Sequence, residues 1–315
     1  MGSLAISSTM PNSPLDRLPR PLAVAINDAG AANMIAAWAA ATSRLPDRVL
    51  AAGPARATWK RRFGQSAAIH DDPEALDTMA CVVTGTGWAS DFEHRARIAA
   101  ARANLRSVAV VDHWVNYQRR FERDARGHMP DTSWVGDEDA RRIACEAFPK
   151  HRIEQHPNLY LEEQASQAGP VPEDGDILFV MEPARNDWGR GEPGEFQALA
   201  YLLANAAIVG VSPRAPIRVR PHPSDPQGKY GAWLSQNPRA RLDTSPDMAS
   251  ALNSARWVVG LHSAGLVIAL AAGREVISAL PPWGPPCLLP HKEIIKLADA
   301  VSAETSHHLA NQVSP

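Results

Sequence analysis

The chain has 315 residues, enough for about two domains at roughly 150 residues each. Its 45% hydrophobic and 21% charged content belongs to a globular protein, too apolar for a disordered one. With 32 Lys+Arg against 34 Asp+Glu the formal charge is -2, which argues against a nucleic-acid partner held by phosphate neutralisation.

Five lysines (Lys60, Lys150, Lys229, Lys292 and Lys296) leave 27 of the 32 cations as arginine, a composition bias rather than a binding feature. No apolar run approaches the roughly 18 residues needed to span a bilayer. Residues 1–20 have no apolar core behind a basic segment, so they do not read as a secretory signal but as a flexible leader rich in Ser, Pro and Asn. Cys81, Cys145 and Cys287 lie too far apart for a disulfide framework or a zinc knuckle. A reducing cytoplasm is the default compartment, with peripheral association at the inner face of a membrane left open.

From Pro21 onward short apolar runs alternate with helical patterns, the signature of parallel α/β structure. Residues 22–28 read as a buried strand, 31–44 as the helix that follows, and 47–53 and 80–86 as further strands. Residues 91–105 form a helix with acids early and arginine late, as its dipole favours. A strand at 107–114 follows, and residues 133–148 give a short strand and a helix opening at Asp137. The stretch 167–176, QAGPVPEDGD, reads as an interdomain linker. The alternation then restarts: strands at 176–182, 216–222, 256–263 and 274–280, and helices at 194–210, 229–236, 248–255 and 264–273. The expected organisation is a leader (1–20), a first Rossmann-like domain (21–166), a linker (167–176), a second Rossmann-like domain (177–298) and a tail (299–315).

Ligands in doubly wound sheets bind at the carboxyl ends of the strands. In the first half those ends carry Asp28 with Gly30, residues 84–88, and Asp112 with His113. In the second half they carry Glu182 with Arg185, His222 within RPHPSD, and His262-Ser263 within GLHSAG. A turn or a helix cap would explain any one of them alone; six together exceed what loops need. Pro221 and Pro223 stiffen the backbone around His222, so its imidazole is held at a strand end where it can donate to a leaving phosphate. Ser263 stands where a strand turns into an apolar helix, and its hydroxyl with the amides of Ala264 and Gly265 makes an anion site.

On His222-Pro223 and Ser263, about forty residues apart, the second half resembles the donor domain of GT-B fold glycosyltransferases. The resemblance is to the bacterial group that includes sialyltransferases, Kdo transferases and CDP-glycerol glycerophosphotransferases, and it covers roughly residues 176 to 298. It departs from several of those families at Ala264, where they have a second hydroxyl residue. The resemblance implies two Rossmann-like domains facing a cleft, and an inverting, metal-independent transfer of a sugar from a nucleotide-activated donor, CMP-sugar favoured. The acceptor it implies is a glycan or lipid-linked molecule of bacterial surface-polysaccharide assembly. The nucleotide sugar is a substrate, and no cofactor is implied. His222 and Ser263 would neutralise the leaving phosphate, with Arg185 and Arg220 as helpers.

Such a transferase needs a base for the acceptor hydroxyl. Asp112 leads by position, with Trp114 beside it as a wall for a sugar, then Asp28, then His113. Other signals read as structural. Asp137-Glu138-Asp139 opens a helix, Gly85-x-Gly87 fails as a dinucleotide fingerprint at Ser90, and Arg119, Arg120, Arg123 and Arg126 make a solvated face. His307-His308 lack partners at metal-ligand spacing. Two other readings remain: a nucleotide-sugar epimerase of the same twin-domain shape, and a non-catalytic sugar-nucleotide-binding protein.

Overall fold

The computed structural model describes residues 13–88, 90–122, 128–184 and 186–312, with 307–312 as backbone. Arg185, Arg123 and Arg126 lie outside the described residues, as do the side chains of His307 and His308. The chain divides between Tyr160 and Leu161 into two compact units.

Unit 1 runs β1 (Leu22–Ile26), α1 (Ala29–Ala40), β2 (Arg48–Ala51), α2 (Gly53–Phe63), β3 (Cys81–Thr84), α3 (Phe92–Arg102), β4 (Arg106–Val111), α4 (Tyr117–Phe121), β5 (Thr132–Val135), α5 (Glu138–Ala147) and β6 (Ile153–Gln155). Helix α6 (Leu159–Gln167) bridges the division. Unit 2 runs β7 (Asp176–Val180), α7 (Gly194–Asn205), β8 (Ile217–Arg220), α8 (Gly231–Gln236), β9 (Ala240–Leu242), α9 (Met248–Leu252), β10 (Ala255–Gly260), α10 (Ala264–Ala271), β11 (Glu275–Ser278), β12 (Ile295–Lys296) and α11 (Leu297–Gln312).

Each unit is built on one six-stranded sheet, ordered β2-β1-β3-β4-β5-β6 and β12-β11-β10-β7-β8-β9, and every strand pair is parallel. Parallel strands need helical crossovers that cover both faces, so central strands are apolar throughout rather than alternating. All five residues of β1, Leu-Ala-Val-Ala-Ile, are fully buried. Strand order reverses once per sheet. After β2 the chain returns to the other side of β1 to lay down β3, and after β9 it returns to the other side of β7 to lay down β10. At such a reversal the connections on either side diverge, and a crevice opens at the carboxyl ends of the two central strands.

The apolar strands and main helices stand where their patterns predict, trimmed by a few residues at the ends. The short edge strands β6, β9 and β12 were not expected, because their residues are exposed or half-buried and carry no apolar run. Helix α2 was missed for the same reason, since only Ala55, Thr58 and Trp59 of its eleven residues are buried. Residues 13–20, assigned to the leader, are in part core. A turn of 3-10 helix over Pro14–Arg17 sends Leu15 into the apolar cluster of unit 1 beside Leu18. Helix α11 occupies the stretch expected as a tail. No helix among the described residues is long and apolar enough to cross a membrane.

Charge is buried in the sheet of unit 2. Arg218 of β8 meets Asp176 (Nε to Oδ2, 2.6 Å) and Asp243 (Nη1 to Oδ1, 2.7 Å), with all three side chains at 6% exposure or less. Cutting out the cation leaves buried Asp176 with only the 3.4 Å contact to exposed Arg241 and Asp243 with Arg220 alone, a larger loss than the pair itself contributes. Arg218→Ala is expected to destabilise the chain by about 3–5 kcal/mol in denaturant unfolding followed by tryptophan fluorescence. Arg142→Ala, which removes only exposed pairs with Asp139 and Glu146, should leave the midpoint where it is. A wild-type midpoint for Arg218→Ala would show the network to be dispensable.

Candidate functional site

The order reversal of unit 1 falls between β1 and β3, and three carboxylates gather there. Asp28 follows β1 and caps α1, its Oδ1 accepting the Gly30 N–H at 3.2 Å. Asp112 follows β4, is 10% exposed, and pairs through Oδ1 with Arg120 Nη1 at 2.9 Å. Arg120 is held in turn by the Val115 carbonyl and the Thr86 hydroxyl, each at 3.1 Å, and its guanidinium lies 5.3 Å from the Trp88 ring centre. The third acid is Glu93 in the first turn of α3, 1% exposed. Its Oε1 accepts the N–H groups of Asn27 (2.8 Å) and Asp28 (3.3 Å), and its Oε2 accepts that of Gly87 (2.6 Å). Glu93 therefore laces the turn after β1 to the turn after β3.

Space at this point is tight enough to select residue types. A Cβ on Gly30 would overlap Asp112 Oδ2, and one on Gly85 would overlap Glu93 Oε1. On Gly87 it would come within 2.8 Å of the Asp28 Cβ. The Gly85-x-Gly87 pair is thus explained by the approach of carboxylates. Burial raises the Asp28 carboxyl above its ordinary value, and the charge of Asp112 raises it further. Burial pushes Glu93 up to about 7, against the pull of its backbone donors. A carboxylate made reluctant to ionise is a stronger base when it does ionise. Asp28 has that property and no ion pair among the described residues, whereas Asp112 is committed to Arg120.

His113 is half-buried, with its Nδ1 accepting the Trp114 N–H at 2.9 Å. Trp114, the expected wall for a sugar, is largely turned inward. It is 6% exposed and donates its indole N–H to Asp137 at 2.8 Å. Asp137 caps α5 through the Ala140 N–H, and Asp139 pairs with Arg142. The half-buried ring at this edge is Trp88, flanked by Arg119 and Arg120.

In unit 2 the reversal lies between β7 and β10, and Glu182 and His262 stand on either side of it. Glu182 Oε2 accepts the His262 N–H at 3.2 Å, and its Oε1 lies 3.3 Å from His262 Nε2. This bond outweighs burial and raises the His262 pKa, favouring the imidazolium. Ser263 sits at the N-cap of α10 in extended conformation, yet its side chain makes no capping bond. Among the described residues, Ser263 Oγ and His262 Nδ1 are buried atoms without a hydrogen-bond partner. Ala264 and Gly265 are the first two residues of α10.

His222 follows β8 and is exposed. The backbone N–H of Ser224 donates to its Nδ1 at 3.1 Å, so Nδ1 is an acceptor and the neutral ring carries its proton on Nε2. The loop is pinned by Asp225, whose Oδ2 accepts from His222 N–H and Tyr230 O–H, each at 2.8 Å. Lys229 bridges Asp225 (2.7 Å) and Glu195 (2.5 Å). Burial works against ionised Asp225, but its donors Lys229 and Tyr230 outweigh it and hold the carboxyl below the usual range. Arg220 donates to Asp243 (2.5 Å) and to the Ser245 carbonyl (3.0 Å), so its charge is partly spent.

Sequence reasoning passed over Glu93, Asp225, Lys229 and Glu195. Glu93 looked like an ordinary first-turn acid, and nothing local marks it otherwise. Lys229 carried a faint signal as one of few lysines in an arginine-rich chain. The metal-ligating geometry of three or more His, Cys, Asp or Glu side chains does not occur among the described residues. An apolar cavity of about 240 Å³, lined by Ile177, Leu202, Pro213 and Arg239, sits at the amino-terminal side of β7, away from these strand ends.

No protein-family model matches the chain, and no curated protein does. Solved structures do. A protein described as a UDP-N-acetylglucosamine 2-epimerase from Listeria monocytogenes is similar over 93% of this chain and 89% of its own, with TM-score 0.58 and 14% identity. S. aureus MnaA, in a co-structure with UDP, is similar over 82% of this chain and 78% of its own, with TM-score 0.58 and 10% identity. A sucrose-phosphate synthase from Thermosynechococcus elongatus aligns over 92% and 90%, with TM-score 0.48 and 12% identity. At such identities the likeness shows the fold alone, and that fold is the two-domain α/β fold of GT-B type.

The close approach of Asp112 to Gly30 can be tested directly. Gly30→Ala forces the carboxylate or the start of α1 aside and should cost about 1–3 kcal/mol of stability. Gly231→Ala, with open space around the new methyl, should be neutral or slightly stabilising. Equal unfolding midpoints for the two variants would contradict the packing described.

Proposed function

We propose that this chain is a nucleotide-sugar enzyme, transferring a sugar with inversion from a nucleotide-activated donor to a hydroxyl of a glycan or lipid-linked acceptor, without metal. A CMP-sugar is the favoured donor. The observation that carries this reading is the set of groups at the order reversal of unit 2. His222 presents an Nε2 proton at an exposed strand end, and Ser263 keeps its hydroxyl free of capping duty at the start of α10. His262 precedes Ser263 in the chain, and its bond to Glu182 raises its pKa. Hydrogen-bond donors at neighbouring strand ends and a helix N-terminus suit a phosphate that gains negative charge as it leaves.

In the reaction, unit 1 supplies the base. Asp28 takes the acceptor O–H proton, the freed oxygen attacks the anomeric carbon, and the bond from that carbon to the donor phosphate oxygen breaks. The electron pair leaves with the phosphate, where His222 Nε2–H and Ser263 Oγ–H stabilise it. Burial beside Asp112 and the absence of an ion pair among the described residues support Asp28 ahead of Asp112, which is bonded to Arg120, the reverse of the order expected from position alone. Asp112 and Arg120 keep a compensating charge pair at its side.

A second reading is supported by two of the similar structures, one described as a UDP-N-acetylglucosamine 2-epimerase and the other holding UDP. An epimerase would convert its nucleotide sugar with no acceptor present, and a non-catalytic binder would consume none.

The test is transfer from a panel of CMP-, UDP- and GDP-sugars to glycan acceptors, in EDTA. His222→Ala should lower turnover by about 10²-fold while donor affinity changes little. Ser263→Ala should weaken both modestly. Asp28→Asn should lose on the order of 10²-fold or more in rate with donor affinity kept, Asp112→Asn less, and His113→Asn little. Full activity in His222→Ala, or normal transfer by all three acceptor-side variants, would sink the assignment. Conversion without acceptor would select the epimerase.

A further inference from the structure

Helices α4 and α5 of unit 1 leave between them a groove of about 360 Å³ that the reaction just described does not use. Trp114 and Tyr117 line its buried side, Ile143 lines it from α5, and Asn116, Gln118 and Arg119 line it at α4. Tyr117 donates its hydroxyl to the Ala140 carbonyl at 3.2 Å, which holds the two walls together. Asn116 enters α4 in left-handed conformation (φ 62°, ψ 33°) and makes no capping bond with its side chain. The arginines expected to form one solvated face divide here. Arg120 is 4% exposed and its charge is met by Asp112. Arg119 is exposed, and among the described residues the side chains of Asn116, Gln118 and Arg119 make no hydrogen bond or ion pair. Arg119 instead stands beside the Trp88 ring, its guanidinium carbon 5.9 Å from the ring centre. Trp88 follows Gly87, where a Cβ would come within 2.8 Å of the Asp28 Cβ, and Trp114 stands two residues after Asp112. Ring, cation and groove therefore adjoin the acids of the strand ends.

We propose that this groove, with Arg119 and Trp88 at its edge, binds a saccharide unit that carries a carboxylate, and so selects an acidic acceptor over a neutral one. That the saccharide is an acceptor rests on the function proposed above; that the groove binds it does not. A guanidinium presents paired N–H donors in the fork that a carboxylate accepts. A tryptophan face takes the apolar side of a sugar ring. The amides of Asn116 and Gln118 each donate and accept, as sugar hydroxyls require. Arg119 is the one charged residue among the described residues that line the groove, and a single cation suits a monoanion. A phosphate carries about two charges. It would bring them toward Asp28 and Asp112 with one uncommitted cation to offset them, since Arg120 is already paired.

The experiment titrates the full chain, without donor, with trisaccharides of galacturonate, glucuronate and mannuronate and with their neutral counterparts, at low and at high salt. Binding is followed by NMR of the indole N–H signals, that of Trp88 being assigned by its loss in Trp88→Phe. At least one uronate should move the Trp88 signal and bind about fivefold more tightly than its neutral counterpart at low salt. Salt should shrink that advantage, because an exposed pair is screened. Arg119→Ala should abolish the advantage while the affinity for the neutral sugar and the unfolding midpoint stay unchanged. Arg119→Lys should keep part of it, and Arg142→Ala, on the exposed side of α5, all of it. In transfer assays Arg119→Ala should raise KM for the uronate acceptor about fivefold and leave kcat and donor affinity alone. The proposal is overturned if none of the sugars binds, if charged and neutral sugars bind alike, or if Arg119→Ala still prefers the uronate. Tighter binding of galactose 6-phosphate than of galacturonate would also overturn it. Uronate binding that depends on Arg119, in protein that transfers nothing, would sink the function proposed above and leave the groove assignment standing. Transfer to neutral acceptors without such binding would do the reverse.

Discussion

A parallel sheet wound in both directions from its middle must reverse its strand order once, and the candidate site residues of each unit gather around that requirement. Between β1 and β3, and again between β7 and β10, successive connections leave in opposite directions and expose the carboxyl ends of two adjacent strands. Asp28 with Glu93 occupies the first reversal, and Glu182 with His262 the second. The buried apolar strands beneath are what make these positions rigid, since a strand buried on both faces has no freedom to slip its register.

The two reversals are furnished with opposite chemistry. In unit 1 three acids share one compensating ion pair, Asp112 with Arg120, and the other two are pushed toward protonation. Such an assembly costs stability, because each carboxylate loses water and gains a like-charged neighbour. Its members are retained only where glycines 30, 85 and 87 make room for them. In unit 2 the reversal carries Glu182 bonded to His262, the Ser263 hydroxyl and the start of α10, and His222 follows the neighbouring strand β8.

How much of this was legible follows from how local each signal is. The apolar runs of β1, β4 and β7 announce parallel strands by themselves, and the strand-end rule then picks out Asp28, Asp112, Glu182, His222 and His262 without any coordinates. Ser263 was legible because it joins a strand to a helix within one short motif. Glu93 was invisible for the opposite reason. Its partners, Asn27 and Asp28, are more than sixty residues away in the chain, and a glutamate in a first helical turn is ordinary. Trp114 misled because adjacency to Asp112 looked like shared exposure, whereas the indole turns inward to Asp137. The polar edge strands escaped because β6, β9 and β12 gain their structure from backbone pairing with a neighbour rather than from side-chain pattern.

The central claim is that the reversal in unit 2 is a phosphate site, with His222 and Ser263 on flanking strands either side of β7. Strand spacing puts those two strands about 10 Å apart, a distance that two inward-reaching side chains can close around a phosphate. The most direct test is a crystal structure of the full chain with CMP or UDP bound. The account predicts phosphate oxygens about 3 Å from both His222 Nε2 and Ser263 Oγ, above the end of β7. A nucleotide seated elsewhere, or one whose phosphate touches neither residue, would contradict it.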